Sequence, residues 1–182
     1  MMVSARDGIA PDATNFHGSV IVLGDRGILI AGASGAGKSS LALGLVSRWR
    51  ALGRFARLVA DDQVFVAARH GRLLAQVPSA IAGLVEVRGI GPVPTPHQPA
   101  AVLDLAVELV DDAGLIRLGG LGSMRLHDID LPLVRLARGR KAAAINAVEL
   151  MLSLGVRPND HWAAMNNRND NLGLQSEVSQ TT

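Results

Sequence analysis

The chain has 182 residues, of which 48% are hydrophobic and 3% aromatic, with no cysteine and a formal net charge of only +2. That is enough apolar material for one sizeable core and fits one domain better than two; without cysteine, disulfides, thiolate metal sites and cysteine nucleophiles are excluded and a reducing, cytoplasmic setting is expected. The arginines are scattered and aromatic stacking residues few, which argues against nucleic acid as a partner, and no apolar run reaches membrane-spanning length without a charge, so no membrane partner is expected.

Met1 to Thr14 is polar, contains Gly8 and Pro11, lacks the apolar core of a secretory signal or anchor, and reads as a loose tail over residues 1–14. From Ser19 to Leu23 a β-branched run leads to Gly24-Asp25-Arg26-Gly27, and Ile28 to Ala31 follows at once, predicting two strands around a tight turn. The second strand runs into Gly32-Ala33-Ser34-Gly35-Ala36-Gly37-Lys38-Ser39. Ser39 to Leu52 then sets Leu41, Leu45 and Leu52 at roughly helical spacing. Arg57 to Ala60 predicts a strand ending at Asp61-Asp62, and Val64 to Ala67 with Arg72 to Val77 a hairpin around His70-Gly71. Pro92 to Pro99 is a proline-rich loop that a central strand could not tolerate. Further strands are predicted at Ala101 to Val110, Gly114 to Leu118 and Asp130 to Leu136, and a last helix at Lys141 to Leu154, which lacks glycine and proline. One domain over 15–154 and a polar, disordered tail over 155–182 complete the expected organisation.

The motif from Gly32 to Ser39 is G-x-x-x-x-G-K-S placed between a predicted strand and a predicted helix, the context that distinguishes a phosphate-binding loop from a chance glycine cluster. Its glycines let backbone N–H groups surround phosphates at a helix N-terminus. Lys38 adds a cation at the β- and γ-phosphates, Ser39 a hydroxyl for magnesium, and Ser40 continues the binding segment. A nucleoside triphosphate with magnesium is the ligand this predicts. Asp61-Asp62 stands where such a loop needs an acid to position the metal or its water. Consecutive side chains of an extended segment face opposite ways, so one of the two reaches the phosphates while the other orients a loop or a metal-bound water. Glu86 and Arg88, two apart, share a face and offer a carboxylate for magnesium beside a guanidinium for phosphate, or else an ordinary surface ion pair. His17 and Arg117 would by themselves be a surface histidine and an edge-strand charge.

In order, His17-Gly18, the loop Gly32 to Ser39, Leu58-Val59-Ala60-Asp61-Asp62, Glu86-Val87-Arg88-Gly89-Ile90-Gly91, Ile116-Arg117-Leu118-Gly119 and Gly139-Arg140 resemble the catalytic domain of the HPr kinase/phosphorylase family. The resemblance runs from about Asn15 to Leu152. It implies an α/β P-loop domain with a mixed central β-sheet, of phosphoenolpyruvate-carboxykinase-like architecture. It also implies an ATP-dependent serine kinase acting on the phosphocarrier protein HPr of the phosphotransferase system, able in reverse to cleave phosphoserine with phosphate to give pyrophosphate. By that resemblance Asp62 is the general base and returning acid, and His17, Lys38 and Arg117 are the other catalytic positions. Ser39 and Glu86 match the magnesium ligands, Asp61 stands beside them, and Arg135 through Arg140 matches a segment tied to dephosphorylation. A homo-oligomer, hexameric in the family, is implied as well. Two other readings stay open on the residues: a P-loop kinase for a small molecule, and a nucleotide-binding sensor without transfer chemistry.

Overall fold

The computed structural model describes residues 8–87, 89–115 and 122–155. Along the chain it places β1 (Thr14–His17), β2 (Ser19–Leu23), β3 (Arg26–Gly32), α1 (Lys38–Ala51), β4 (Ala56–Ala60), β5 (Gln63–Arg69), β6 (Arg72–Gln76), β7 (Leu84–Val87), β8 (Gly91–Pro94), β9 (Ala100–Val110), β10 (Gly122–Leu126), β11 (Ile129–Ala137) and α2 (Lys141–Ser153). Among the described residues nine strands form one mixed sheet in the order β1-β5-β6-β9-β3-β2-β4, with β11 joined to β9 and β10 to β11, while β7 and β8 make a separate hairpin. β9 is the hub: β3 and β11 run parallel to it, and β6 antiparallel to its first residues.

Alternation along the strands sorts the apolar side chains into two layers. Ile21, Leu23, Ile28, Ile30 and Val107 face α1 and α2, where Leu41, Leu45, Ala144 and Val148 close the core. Val20, Val22, Leu29 and Ala106 face the other way, against Val64, Val66, Leu73, Leu131 and Leu133, so the curled sheet covers its own second face. The β3–β9 ladder is interrupted at Asp104. Gly27 is paired with Leu103 and Ile28 with Leu105, so Asp104 is an extra residue, a bulge that increases local twist. Its carboxylate, 2% exposed, accepts a hydrogen bond from the Gly27 N–H (3.1 Å) and one from Arg72 (2.9 Å). These contacts offset the cost of burying the charge.

Three expectations change. Residues 8–14 are not loose: Thr14 opens β1, Asp12 is bound by Arg69, and the Gly8 carbonyl accepts from Gln76. The proline-rich stretch is partly a strand, since Gly91–Pro94 pairs with Leu84–Val87; it lies outside the main sheet, where missing N–H groups break no ladder. Gly114, the first residue of the strand predicted to run to Leu118, instead ends a 3₁₀ turn over Asp112–Gly114, and the prediction for 116–118 lies outside the described residues, as do 1–7, 88, 119–121 and 156–182.

Candidate functional site

The buried strand β3 ends at Gly32, and the chain needs positive φ at Gly32 (142°), Gly35 (74°) and Gly37 (99°) to turn into α1. The helix starts at Lys38 without a side-chain cap and without an acid in its first turn, so among the described residues its first amides have no side-chain cap and its own first turn offers no anion. Lys38 is 7% exposed and its ammonium is fully used: it donates to the Gly32 and Ala33 carbonyls (both 3.1 Å) and to His17 Nε2 (2.9 Å). An ammonium cannot accept, so Nε2 of His17 is the acceptor and Nδ1 carries the proton. Nδ1 lies 3.1 Å from both the Asp62 carbonyl oxygen and Asp62 Oδ1. The three residues therefore form one line, Lys38 to His17 to Asp62.

Asp62 adopts φ 71°, in the left-handed region that aspartate tolerates better than most side chains, and its carbonyl also accepts from the Gly18 N–H. Its carboxylate is solvent-facing while Asp61 is buried, accepting a 2.6 Å hydrogen bond from Ser19 Oγ. The two carboxylates face opposite ways as expected, but the positive φ of Asp62, not an extended pair, turns them apart. Asp61 does not line the cavity described next, so the structure does not bring it to the metal-side position given it from sequence.

A cavity of about 520 Å³ opens in front of the loop, lined by Ser34, Gly35, Gly37, Lys38, Ser39 and Ser40 on one side and by His17, Asp62, Glu86 and Lys141 around them. Glu86 comes from β7, whose hairpin is closed at its open end by a backbone bond from Thr95 to Gly83 (2.7 Å) and is fastened to β4 through the segment that follows it, by backbone bonds from Leu58 to Pro96 (3.3 Å) and Gln98 to Leu58 (2.9 Å). Magnesium takes one or two protein oxygens, retains waters and completes its shell with phosphate oxygens. A hydroxyl and a carboxylate on one cavity, Ser39 and Glu86, fit that pattern. Among the described residues no group of three or more His, Cys, Asp or Glu could hold a metal unaided. Arg88 and Arg117 lie outside the described residues.

On the other side of the loop a second cavity of about 510 Å³ is lined by Gly35, Ala36, Leu41, Leu109, Arg138 and Arg140, among others. Arg140 is paired with Asp112 at 3.2 Å, Arg135 with Glu108 at 2.9 Å, and Arg138 with Asp111. Arg135 near the end of β11, and Arg138 and Arg140 in the β11–α2 connection, thus each meet an acid near or just beyond the end of β9. Lys141, predicted only as the start of a helix, lines both cavities. The signal that could have found it is its rarity, since Lys38 and Lys141 are the two lysines of the chain.

Residues 9–96 match the family model described as HPr Serine kinase C-terminal domain. An HPr kinase/phosphorylase of Clostridium tetani is 40% identical over 99 residues, covering 53% of this chain and 30% of the relative. One from an Exiguobacterium species is 35% identical over 177 residues, covering 90% of this chain and 50% of the relative. The chain therefore spans half the length, or less, of these curated relatives. The solved structure of the Hpr(Ser) kinase/phosphatase from Coxiella burnetii superposes with a TM-score of 0.67 at 22% identity, covering 78% of this chain and 97% of that one, and shares the fold. Among the described residues no helix is long and apolar enough to cross a membrane.

Proposed function

We propose, for a chain that belongs to the HPr serine kinase family, that it transfers the γ-phosphoryl group of ATP to a serine of HPr. The observation that carries this reading is the line Lys38–His17–Asp62 at the rim of the phosphate-loop cavity. Phosphate binding alone needs the loop and its lysine. It does not need a histidine joined to that lysine, nor a solvent-facing carboxylate beyond it.

In this reading the loop amides hold the β- and γ-phosphates, and Lys38 exchanges a carbonyl bond to Gly32 or Ala33 for a phosphate oxygen. The carboxylate of Asp62 accepts the proton of the attacking seryl hydroxyl as the new O–P bond forms, and Nδ1–H of His17 keeps that carboxylate oriented. In the reverse direction Asp62 returns the proton to the departing serine oxygen as inorganic phosphate takes up the phosphoryl group, giving pyrophosphate. Ser39 and Glu86 would hold magnesium, which neutralises charge on the phosphate oxygens; Asp61, bonded to Ser19, shapes the turn from behind. Arg117 completes the positive surround by resemblance to the family, Arg88 is assigned as a further phosphate cation from its place in the sequence beside Glu86, and Arg140 lines the neighbouring cavity. The same reading puts the protein in the cytoplasm, with HPr of the phosphotransferase system as partner, as a homo-oligomer.

The test is incubation with γ-labelled ATP, magnesium and HPr of the same organism, followed by mass spectrometry for phosphoserine. Transfer is expected in the wild type. Asp62→Asn should retain nucleotide binding and lose transfer by on the order of 10²-fold or more, and Lys38→Ala should lose both. Wild-type turnover in Asp62→Asn would sink the base assignment; nucleotide binding without any transfer would favour a nucleotide sensor or another acceptor.

A further inference from the structure

Lys38 and Lys141, the two lysines of the chain, come from the starts of different helices and line the same cavity. Their situations differ. Lys38 is buried with all three protons donated. Lys141 is exposed, and among the described residues its ammonium has no hydrogen-bond or ion-pair partner. It occupies the first position of α2, next to Arg140, in a first turn without any acid. A cation at that end of a helix faces the positive pole of the dipole, an arrangement that is unfavourable until an anion stands between them.

The stem of Lys141 is nevertheless directed by packing. It crosses α1 at Gly44: a Cβ built on that glycine would lie 2.5 Å from Lys141 Cε, 3.2 Å from its Nζ and 3.1 Å from Ile145 Cδ1. Glycine in a helix interior costs about 1 kcal/mol relative to alanine. Gly44 has no unusual backbone angle to require it, and what its missing side chain admits is the lysine. A lysine that merely extended into solvent would need no such notch.

From this we propose that Lys141 is a second phosphate-binding cation of the site, and that Gly44 is the residue that lets it reach there. The proposal deepens the reading above and rests on its nucleotide-binding part. Lys141 is common to the cavity holding His17, Asp62 and Glu86 and to the one holding Leu41, Leu109 and Arg138, with Gly35, Gly37 and Ser40 between them. A nucleotide whose terminal phosphate lies at Asp62 and whose remainder passes along that rim presents its inner phosphates to Lys141. Such a contact exists equally before and during transfer, so it strengthens nucleotide binding and leaves the chemical step alone.

The experiment is calorimetric titration of magnesium–ADP and magnesium–ATP into the wild type, Lys141→Met, Gly44→Ala and the double variant, with a thermal melt of each. A charge-assisted contact of this kind corresponds to roughly a tenfold change in Kd. Lys141→Met should weaken both nucleotides about tenfold. Gly44→Ala should weaken them comparably, because the added methyl displaces the end of the lysine, while its melting temperature stays level or rises through better helix propensity. The double variant should be no worse than either single one. Wild-type ADP affinity in Lys141→Met would overturn the proposal, as would losses in the double variant that multiply. A wild type that binds neither nucleotide would remove this inference together with the phosphate-loop reading, whereas nucleotide binding with no phosphorylation of HPr would remove only the acceptor, and the variants would still decide Lys141.

Discussion

The cavity has a floor and a rim, held by different means. The floor is β3, the glycine loop and α1, resting on Ile28, Ile30, Leu41, Leu45 and Val107, each at most 2% exposed. The rim is built from peripheral pieces: His17 on the edge strand β1, Asp62 on a turn at φ 71°, and Glu86 on a hairpin outside the main sheet. Of the hairpin, Val85 alone among the described residues is buried in the main core. The difference teaches where stability and chemistry reside. The proposed phosphate loop is anchored on the deeply buried part, while the proposed base, its histidine and the proposed metal carboxylate sit on peripheral pieces, where local opening is expected to cost less.

The strongest way to break the comparison is to damage the floor without touching the cavity. Gly27 lies under β9 at the Asp104 bulge, and a Cβ there would overlap the Val102 carbonyl and carbonyl carbon. These are backbone atoms of the hub strand and cannot step aside. Gly27→Ala should cost roughly 3 kcal/mol of global stability, read by denaturant titration, and should melt floor and rim together. A loss below about 1 kcal/mol would mean that the floor is softer than its burial implies.

A smaller, local effect is expected at the rim. Gly83 has φ 73°, and a Cβ there would strike the ring of His97, on the segment whose backbone bonds fasten the hairpin. The left-handed conformation alone costs an alanine roughly 1–2 kcal/mol, and the ring must swing away as well. Gly83→Ala should therefore release β7 and β8 while moving the melting temperature only a few degrees. Binding of ATP with magnesium should weaken, and binding of ATP without it should not, because Glu86 is what moves. Equal losses with and without magnesium would detach Glu86 from the metal.

The same division explains what was legible in the sequence. β3, the loop, α1, the β5–β6 hairpin and α2 each carry a local signal: an apolar run, a glycine motif, turn residues at His70-Gly71, or thirteen residues, Lys141–Ser153, without glycine or proline. Asp61 and Asp62 do face opposite ways, as the sequence suggested, but through the left-handed turn at Asp62 beyond the end of β4 and not through the alternation of an extended strand. β1 reads Thr-Asn-Phe-His, with no apolar pattern, and exists because β5 pairs with it across 46 residues or more. β10, Gly-Ser-Met-Arg-Leu, depends likewise on β11. The hairpin of β7 and β8 was hidden by prolines that exclude a central strand and permit an isolated one. Within the site, residue types at the loop were legible; the contact of His17 with Lys38 and the notch at Gly44 were not, since both join positions distant in sequence.

The smallest effect concerns how β1 is attached. Arg69 and Arg72 are paired in register on either side of the His70-Gly71 turn, and each holds a carboxylate: Arg72 the buried Asp104, Arg69 the exposed Asp12 just before β1. Arg69 binds Asp12 through both terminal nitrogens (2.9 and 2.5 Å), and that hydrogen bonding, aided by a backbone hydrogen bond at Asp12, lowers the carboxyl from 3.8 to about 2. Since the folded value is depressed, the contribution is complete above the unfolded value near 4 and is lost as the pH falls through about 2. In an exposed pair that contribution is small. Titration of the Asp12 carboxyl by nuclear magnetic resonance should give a midpoint near 2, with the amide shifts of Thr14–His17 following the same curve. Asp12→Asn at neutral pH should reproduce those shifts while barely changing the melting temperature. A midpoint near 4 would mean that the arginine does not hold the carboxylate in solution, leaving β1, and His17 with it, tied to the molecule by the β5 ladder and the Lys38–His17–Asp62 contacts.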